Sequence, residues 1–203
     1  MAALNPHPSP SPLQKRLLGE VVEAASRCYE LGWTVATAGN FSIRGNPGIV
    51  WQSPSGVPKG SLSPRSFIAI NEETARPVLD GYVKPSDETP LHVAVYQRFP
   101  EVRAVLHAHP PGIVTQSLRR GQLVLKGHEM AKALGYRDHE SEVDIDMWPN
   151  SQNMVDLADR FSCASIVSPF LVLKGHGIYA WGPDVKTAFA RMEAVEYLCQ
   201  TLG

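Results

Sequence analysis

The sequence predicts a single α/β domain in which helices cover a mixed β-sheet. Stretches with apolar residues at helical spacing alternate along the chain with short strand-like runs, which is the pattern of interleaved helices and strands. The length of 203 residues suits one sizeable hydrophobic core rather than two. A hydrophobic content of 43% and a charged content of 19% are those of an ordinary globular protein. We find no internal repeat, P-loop or dinucleotide-binding fingerprint.

The beginning of the chain differs from the rest. Residues 1–10 alternate proline with small polar residues, so we expect a flexible tail before a single domain spanning 11–203. The first helix then starts after Ser11, which can cap it, and Gln14 completes a capping-box pattern. Apolar residues recur at helical spacing until Gly32 stops the run.

The remaining elements follow from the same two periodicities. A second helix is predicted over 87–98 with Ser86 as its cap, and residues 151–163 form a further helix. The last helix is predicted to start at Pro183, and shorter helices follow Pro111 and lie in "HEMAKAL". Strands are predicted in "WTVATA", "FSIRG", "IVWQS", "SFIAI", "VRAVLHAH", "QLVLK", "EVDIDMW" and, as a pair, in "FLVLKGHGIYAWG".

Composition and charge exclude several classes of protein. Nineteen basic residues balance twenty acidic ones, so no basic patch points to nucleic acid. No apolar run approaches the roughly 18 to 20 residues that cross a membrane, and "MAALNPHPSPSP" lacks the apolar core of a secretory signal. The scattered cysteines Cys28, Cys163 and Cys199 argue against a disulfide framework. We therefore expect a cytoplasmic protein.

Two histidines in "AVLHAHPPG", His107 and His109, are the first sign of a metal site. Residues i and i+2 of a strand point to the same face, so both imidazoles can lean toward one ion. The pair lies at the carboxyl end of an apolar strand, where α/β folds place their sites. A third histidine, His176, lies between Gly175 and Gly177, where bare backbone lets an ion and a substrate approach. Three imidazoles leave a coordination position open, which is typical of catalytic zinc, although manganese, iron and cobalt also accept nitrogen ligands.

Chemistry at such a metal needs a proton-transfer group, and two glutamates qualify. Glu88 lies at the start of the second helix, and Glu129 in "KGHEMAKALG" follows a strand-to-helix junction. Each could equally be a surface acid that stabilises a helix start. The sequence does not decide whether His128 and His139 are metal ligands, supporting groups or surface residues.

Three stretches suit a small anion. "TAGNFS" and "SPSGVPKG" are rich in small residues whose amides and hydroxyls can surround a phosphate. "KPSDE" adds a helix N-terminus, which attracts anions through its free amides. Together with a metal site, these stretches suggest a phosphorylated small-molecule substrate.

Four blocks occur along the chain in a familiar order: "TAGNFSIR", "SPSGVPKGSLSP", "KPSDETPLHVAVYQRFPEVRAVLHAHP" and "LKGHGIYAWG". Through them the chain resembles the class II aldolase/adducin family over nearly its whole length after the tail. The resemblance implies a three-layer α/β/α sandwich with a mixed, mainly antiparallel sheet, and a homotetramer with active sites between subunits. It implies one divalent metal per subunit, usually zinc, held by His107, His109 and His176. It also implies a phosphate site formed by Asn40, Ser55, Gly56 and Ser86.

Within that family, "LVLKGHEMAKALG" and "WPNSQNMVDLADR" resemble stretches of the methylthioribulose-1-phosphate dehydratases of methionine salvage. This resemblance implies metal-dependent dehydration of the phosphorylated ketose 5-methylthioribulose 1-phosphate to 2,3-diketo-5-methylthiopentyl 1-phosphate. The acid/base proposed for those enzymes matches Glu129, whereas that of the family's aldolases matches Glu88, and this chain keeps both. The alternatives are a sugar-phosphate aldolase or epimerase of the fuculose-phosphate or ribulose-phosphate type, and a non-catalytic, adducin-like scaffold.

Overall fold

The structure is a computed structural model that describes residues 9–79, 81 and 83–202, so most of the predicted tail lies outside the described residues. Within them, the α-helices are α1 (Pro12–Glu30), α2 (Thr89–Arg98), α3 (Pro111–Arg119), α4 (Met154–Cys163) and α5 (Val185–Gln200). The strands are β1 (Asn40–Arg44), β2 (Ile49–Gln52), β3 (Ile68–Asn71), β4 (Ala104–Ala108), β5 (Gln122–Leu125), β6 (Val143–Trp148), β7 (Phe170–Leu173) and β8 (Gly177–Gly182). Short 3₁₀ helices span Lys59–Ser61, Pro64–Ser66 and Glu129–Leu134. None of the described helices has the length and apolar character needed to cross a membrane.

The strands form one sheet in the order β3-β2-β1-β4-β8-β7-β6-β5. Neighbouring strands are antiparallel except for β6 and β7, which are parallel. β4 lies in the interior of the sheet, paired with β1 on one side and β8 on the other. The mixed, mainly antiparallel sheet expected from the family resemblance is therefore confirmed.

Helices cover both faces of this sheet. Because successive residues of a strand point to opposite faces, Leu106 and Val105 of β4 belong to different hydrophobic cores. Leu106 is buried in the core that contains residues of α1, α3 and α5. Val105 is buried in the core that contains residues of α2 and α4. The result is the predicted three-layer α/β/α arrangement, with β4 buried in its middle layer.

Local sequence signals predicted the first residue of some helices and not of others. The capping box of α1 is present, since Ser11 N donates to Gln14 Oε1 at 2.7 Å and Gln14 N donates to Ser11 Oγ at 3.3 Å. Helix α2 starts at Thr89, two residues later than predicted, and Glu88 rather than Ser86 is its cap residue. The reason is local: Ser86 Oγ accepts a hydrogen bond from Glu88 N in the turn before the helix. Glu88 is thereby placed at the end of the loop, facing the sheet edge.

Helices α4 and α5 also begin later in the sequence than predicted. Helix α4 begins at Met154, where the Asn153 side chain accepts from Asp156 N. Helix α5 begins at Val185 and not at Pro183, because the Asp184 side chain caps it. In each case a capping side chain, not the apolar periodicity, determines the first residue of the helix.

The strand predicted in "WTVATA" is wrong, because residues 33–38 form turns. Ala36 has a positive φ of 58°, which breaks an extended backbone, and Ala38 N donates to Val35 O at 3.1 Å. The segment is instead a loop that leads from α1 to β1. The other predicted strands are present.

Candidate metal centre

Strand pairing brings the three histidines to one edge of the sheet. His107 lies in β4, where its neighbours across the ladder are Asn40 of β1 and Tyr179 of β8. His109 follows the end of β4, and its backbone N–H donates to Trp33 O at 2.8 Å. His176 lies in the turn between β7 and β8. The side-chain nitrogens available for a metal in His107, His109 and His176 all lie within 4.8 Å of one another.

The ring orientations suit a shared ion. His107 Nδ1 donates to Ile178 O at 2.9 Å, and His176 Nδ1 donates to Asn150 Oδ1 at 3.1 Å. Such hydrogen bonds fix the tautomer of a metal-binding histidine and leave Nε2 as the ligand atom. The Nε2 atoms of His107 and His109 are only 2.9 Å apart. The donor set, three converging imidazoles, therefore fits a divalent metal, and imidazole nitrogen is a good zinc ligand.

Burial keeps the rings of His107 and His109 neutral, which is the protonation state that a metal requires. It lowers the pKa of His107 well below its ordinary value, and it lowers that of His109 to about 4. The neighbouring His176 acts in the same direction on both rings, and Glu88 opposes it. Both rings thus present lone pairs at neutral pH.

The two glycines beside His176 allow neighbouring segments of the chain to pack closely. A Cβ on Gly177 would overlap the Ala108 carbonyl oxygen and lie 2.8 Å from His109 Cδ2. A Cβ on Gly175, whose φ is 67°, would lie 2.9 Å from Leu118 Cδ2. Glycine at both positions therefore lets β8 and the turn before it pack closely on β4 and α3. The sequence suggested that these glycines leave room for an ion and a substrate. In the structure, the space beside them is filled by protein atoms instead.

Glu88 closes the centre from the side of α2. Its Oε2 lies 3.3 Å from His107 Nε2 and its Oε1 lies 3.1 Å from His176 Nε2. Asn40 Nδ2 also donates to Oε2. Burial raises the pKa of this carboxyl, but its contacts with His107, His176 and Asn40 outweigh that effect and hold the pKa well below its usual range. Glu88 is thus an ionised carboxylate in contact with two of the three histidines.

A cavity of about 410 Å³ opens beside the histidines. Its wall includes the loop before β1, the loop after β2 and the turn before α2. Two of these segments are tied together, since Ser55 N donates to Lys84 O at 2.9 Å. The cavity wall contains all the residues expected at the substrate phosphate: Asn40, Ser55, Gly56 and Ser86.

Glu129 lies elsewhere in the chain. It opens the 3₁₀ helix Glu129–Leu134, its side chain is 72% exposed, and it accepts from Lys132 Nζ at 2.5 Å. The described residues that line the cavity do not include it. His139 is also exposed, with Nε2 3.0 Å from Glu140 Oε1. The chain therefore brings Glu88, and not Glu129, to its own histidines.

The sequence reasoning missed three residues at the site. Asn150 orients His176, as described above, and the Tyr179 ring stacks on His107 with centroids 4.0 Å apart. Lys59 lines the cavity, and burial lowers its pKa to about 8 although Glu88 raises it. Only Lys59 gave a signal, since it is the one charge in the small-residue stretch "SPSGVPKG".

Comparison with known families agrees with this geometry. A profile of the Class II Aldolase and Adducin N-terminal domain matches residues 19–202. The methylthioribulose-1-phosphate dehydratase of Enterobacter sp. (strain 638) is 36% identical over 187 residues, which cover 89% of this chain and 91% of that protein. The protein of the same name from Sorangium cellulosum is 35% identical over 186 residues, covering 88% and 87%.

Solved structures share the fold. The crystal structure of L-fuculose-1-phosphate aldolase from Thermus thermophilus superposes with a TM-score of 0.74 at 25% identity, covering 93% of this chain and 94% of that one. A sugar-phosphate aldolase from Thermotoga maritima gives a TM-score of 0.67 at 18% identity, covering 94% of each chain.

Proposed function

The chain belongs to the class II aldolase and adducin family, and we propose that it is a metal-dependent lyase of methionine salvage that dehydrates 5-methylthioribulose 1-phosphate. The product is 2,3-diketo-5-methylthiopentyl 1-phosphate. The observation that carries this assignment is the similarity to methylthioribulose-1-phosphate dehydratases at 35–36% identity over about nine-tenths of the chain. The dehydration needs a metal centre, a phosphate site and a proton-transfer group, and each has candidate residues in this chain.

His107, His109 and His176 would hold the metal, which we propose to be zinc, with one ion per subunit. A zinc ion held there would supply a Lewis acid for the carbonyl of the substrate. Glu88 contacts Nε2 of His107 and of His176, so its carboxylate would lie beside the metal. The three rings and Tyr179, which packs against His107, fix where the carbonyl end of the substrate lies.

The phosphate of the substrate would lie against the loops that form the cavity wall. Asn40, Ser55 and Ser86 offer polar side chains there, and Gly56 leaves the backbone bare. With the phosphate held at one end and the carbonyl at the other, C3 and C4 lie between them. Holding the reacting carbons in one place in this way is itself a large part of catalysis.

The reaction requires one group to move protons at C3 and C4, and we assign that role to Glu129 of a neighbouring subunit. The carboxylate takes the C3 proton, the C4 hydroxyl leaves as water with a proton, and the resulting enol becomes the 2,3-diketone. Both oxygens of Glu88 are engaged by side chains of its own chain. Glu129 is exposed and lines no part of its own cavity, which supports its action across a subunit interface.

This assignment includes a homotetramer, and mixing two inactive variants tests it. His107→Ala removes a metal ligand and Glu129→Gln removes the acid/base, so each homo-oligomer should be inactive. Co-expressed with different tags and purified as hybrids, the two variants should regain about one quarter of wild-type activity, because that share of the sites combines an intact His107 with an intact Glu129. If both residues act within one chain, no hybrid site is intact and no activity returns.

The reaction itself is tested with purified protein and 5-methylthioribulose 1-phosphate. We expect formation of the diketone product, loss of activity on chelation, and recovery when zinc is added. The second candidate is a sugar-phosphate aldolase, which the structural similarity to the Thermus thermophilus aldolase and the position of Glu88 favour. Carbon–carbon cleavage of fuculose 1-phosphate or epimerisation of ribulose 5-phosphate, with no diketone formed, would replace the dehydratase assignment.

We also propose that the enzyme acts in the cytoplasm. Cys28, Cys163 and Cys199 are all free, and Cys28 and Cys199 are buried. Free thiols are what a reducing compartment maintains. Cell fractionation followed by the diketone assay tests the location.

A further inference from the structure

A lysine is completely buried beside the cavity. Lys59 opens the 3₁₀ helix Lys59–Ser61, and none of its surface is exposed. Lysine is almost never fully buried unless its charge is paired. Within the part of the chain that the structure describes, no carboxylate forms an ion pair with its ammonium. The protein therefore buries a positive charge without supplying a direct counter-ion.

The hydrogen bonds of this lysine are incomplete. Its Nζ donates to Thr37 O and to Val57 O, each at 2.8 Å. Those carbonyls belong to the loop before β1 and the loop after β2, and both loops contribute residues to the cavity wall. An ammonium group has three N–H donors, and Lys59 itself lines the cavity. One donor is thus left for a group inside the cavity.

The other charges along the wall are negative. Glu88 and Asp87 both line the cavity, and the exposed Lys84 is already paired with Asp87 at 2.7 Å. Asn40 and Ser55 offer neutral polar groups only. Apart from the proposed metal, a phosphate placed in this cavity would face carboxylates without a partner of opposite charge unless Lys59 supplies one. A charge-assisted hydrogen bond from a buried ammonium is a strong one.

We propose that the Lys59 ammonium binds the substrate phosphate directly, while its other two hydrogen bonds hold the two flanking loops at the distance that the phosphate requires. The proposal rests on the proposed function only in that the substrate carries a phosphate. The phosphate site would then contain a buried cation in addition to the neutral groups of Asn40, Ser55, Gly56 and Ser86. Inorganic phosphate is a sufficient probe, so binding can be measured without the reaction.

The test is calorimetric titration of the metal-loaded protein with inorganic phosphate, for the wild type, Lys59→Gln and Lys59→Arg. Loss of a charged hydrogen bond should weaken phosphate binding roughly 10- to 100-fold in Lys59→Gln. Lys59→Arg keeps the charge and should recover part of the affinity. In the dehydration assay, KM for the phosphorylated ketose should rise more than kcat falls, while KM for the unphosphorylated sugar stays unchanged.

Lys84→Gln is the matched control, since Lys84 is an exposed lysine near the same cavity. It should bind phosphate within about threefold of the wild type, because exposed charges are screened by solvent. Equal phosphate affinity in the wild type and Lys59→Gln would overturn the proposal and leave Lys59 as a structural link between loops. Phosphate binding that depends on Lys59, in a protein that does not dehydrate the ketose, would support this proposal and refute the proposed function.

A measurement on the unmodified chain covers the case in which Lys59→Gln fails to fold. Protein labelled with ¹⁵N at lysine Nζ should show one ammonium signal with slow hydrogen exchange, because a single lysine is buried among the described residues. Inorganic phosphate should shift that signal, with saturation at the calorimetric affinity. If phosphate binds and this signal does not move, Lys59 does not contact the phosphate.

Discussion

Two regions carry the chemistry of this protein, and they differ in how the chain holds them. The metal edge, formed by His107, His109, His176 and Glu88, is fixed by strand pairing and by hydrogen bonds within the chain, and Glu88 is only 15% exposed. The 3₁₀ helix Glu129–Leu134 presents Glu129 with 72% of its side chain exposed, in an ion pair with Lys132. One chain thus brings together the proposed ligands of a metal, and it leaves its proposed acid/base at the surface. A neighbouring subunit is the natural way to join the two regions.

The largest effect is expected from breaking the metal edge. In His107→Ala a fully buried ligand is lost and the remaining two rings no longer enclose an ion. We expect zinc content to fall below half an ion per subunit and kcat/KM to fall at least about a thousandfold. Elemental analysis and the diketone assay measure both. His139→Ala, an exposed histidine in the other region, should keep full zinc content and near-normal activity.

A change at the exposed region should separate chemistry from metal binding. Glu129→Gln removes a carboxylate whose described contact is with Lys132, so fold and zinc content should be unchanged. Turnover should fall by about 10²- to 10⁴-fold, the usual contribution of a general acid/base. Glu140→Gln, another exposed glutamate nearby, serves as the control and should retain activity. Near-normal turnover in Glu129→Gln would remove Glu129 from the mechanism and leave Glu88 as the base.

Glu88→Gln should weaken metal binding, and turnover should fall as a consequence. The substitution removes the charge that faces His107 and His176 but keeps the shape of the side chain. Loss of a negative charge this close to the proposed metal should weaken metal affinity by about 10- to 100-fold. Competition with a chelator of known zinc affinity measures this change. A variant that holds zinc as tightly as the wild type, yet has lost turnover, would place Glu88 in the proton-transfer step instead.

The sequence predicted most of the metal edge because its signals are local. His107 and His109 share a face through the two-residue period of a strand, and the glycines around His176 mark the tight turn between β7 and β8. The start of α1 was equally readable from Ser11 and Gln14. Each of these features depends on residues a few positions apart.

What the sequence did not predict depends on packing between distant segments. Lys59 matters because its ammonium reaches a carbonyl 22 residues away, and Tyr179 matters because β8 pairs with β4. "WTVATA" has the residue types of a strand, but Ala36 takes a positive φ in the loop that leads into β1. In the proposed assembly, the environment of Glu129 depends even less on local sequence pattern, since it would involve another copy of the chain.

The smallest expected effect concerns how acid changes the stability of the protein behind the metal edge. Behind the metal edge, His92 is fully buried, with Nδ1 2.7 Å from Ser42 Oγ, and Ser42 Oγ lies 2.9 Å from Tyr96 OH. Burial lowers the pKa of His92 from 6.5 to about 4, against the opposing charge of Glu88. The facing phenols of Tyr96 and Tyr179 have pKa values raised by burial and do not ionise in acid.

Between pH 6.5 and about 4, unfolded His92 therefore binds a proton that the folded protein does not. The free energy of unfolding should fall as pH falls through this window, by up to about 1.4 kcal/mol per pH unit from this residue alone. His92→Asn keeps a polar group near Ser42 and should make the slope shallower by that amount, measured by urea unfolding at a series of pH values. Equal slopes in the wild type and His92→Asn would show that the buried cluster takes up a proton without unfolding, so that the metal edge is less rigid than its contacts imply.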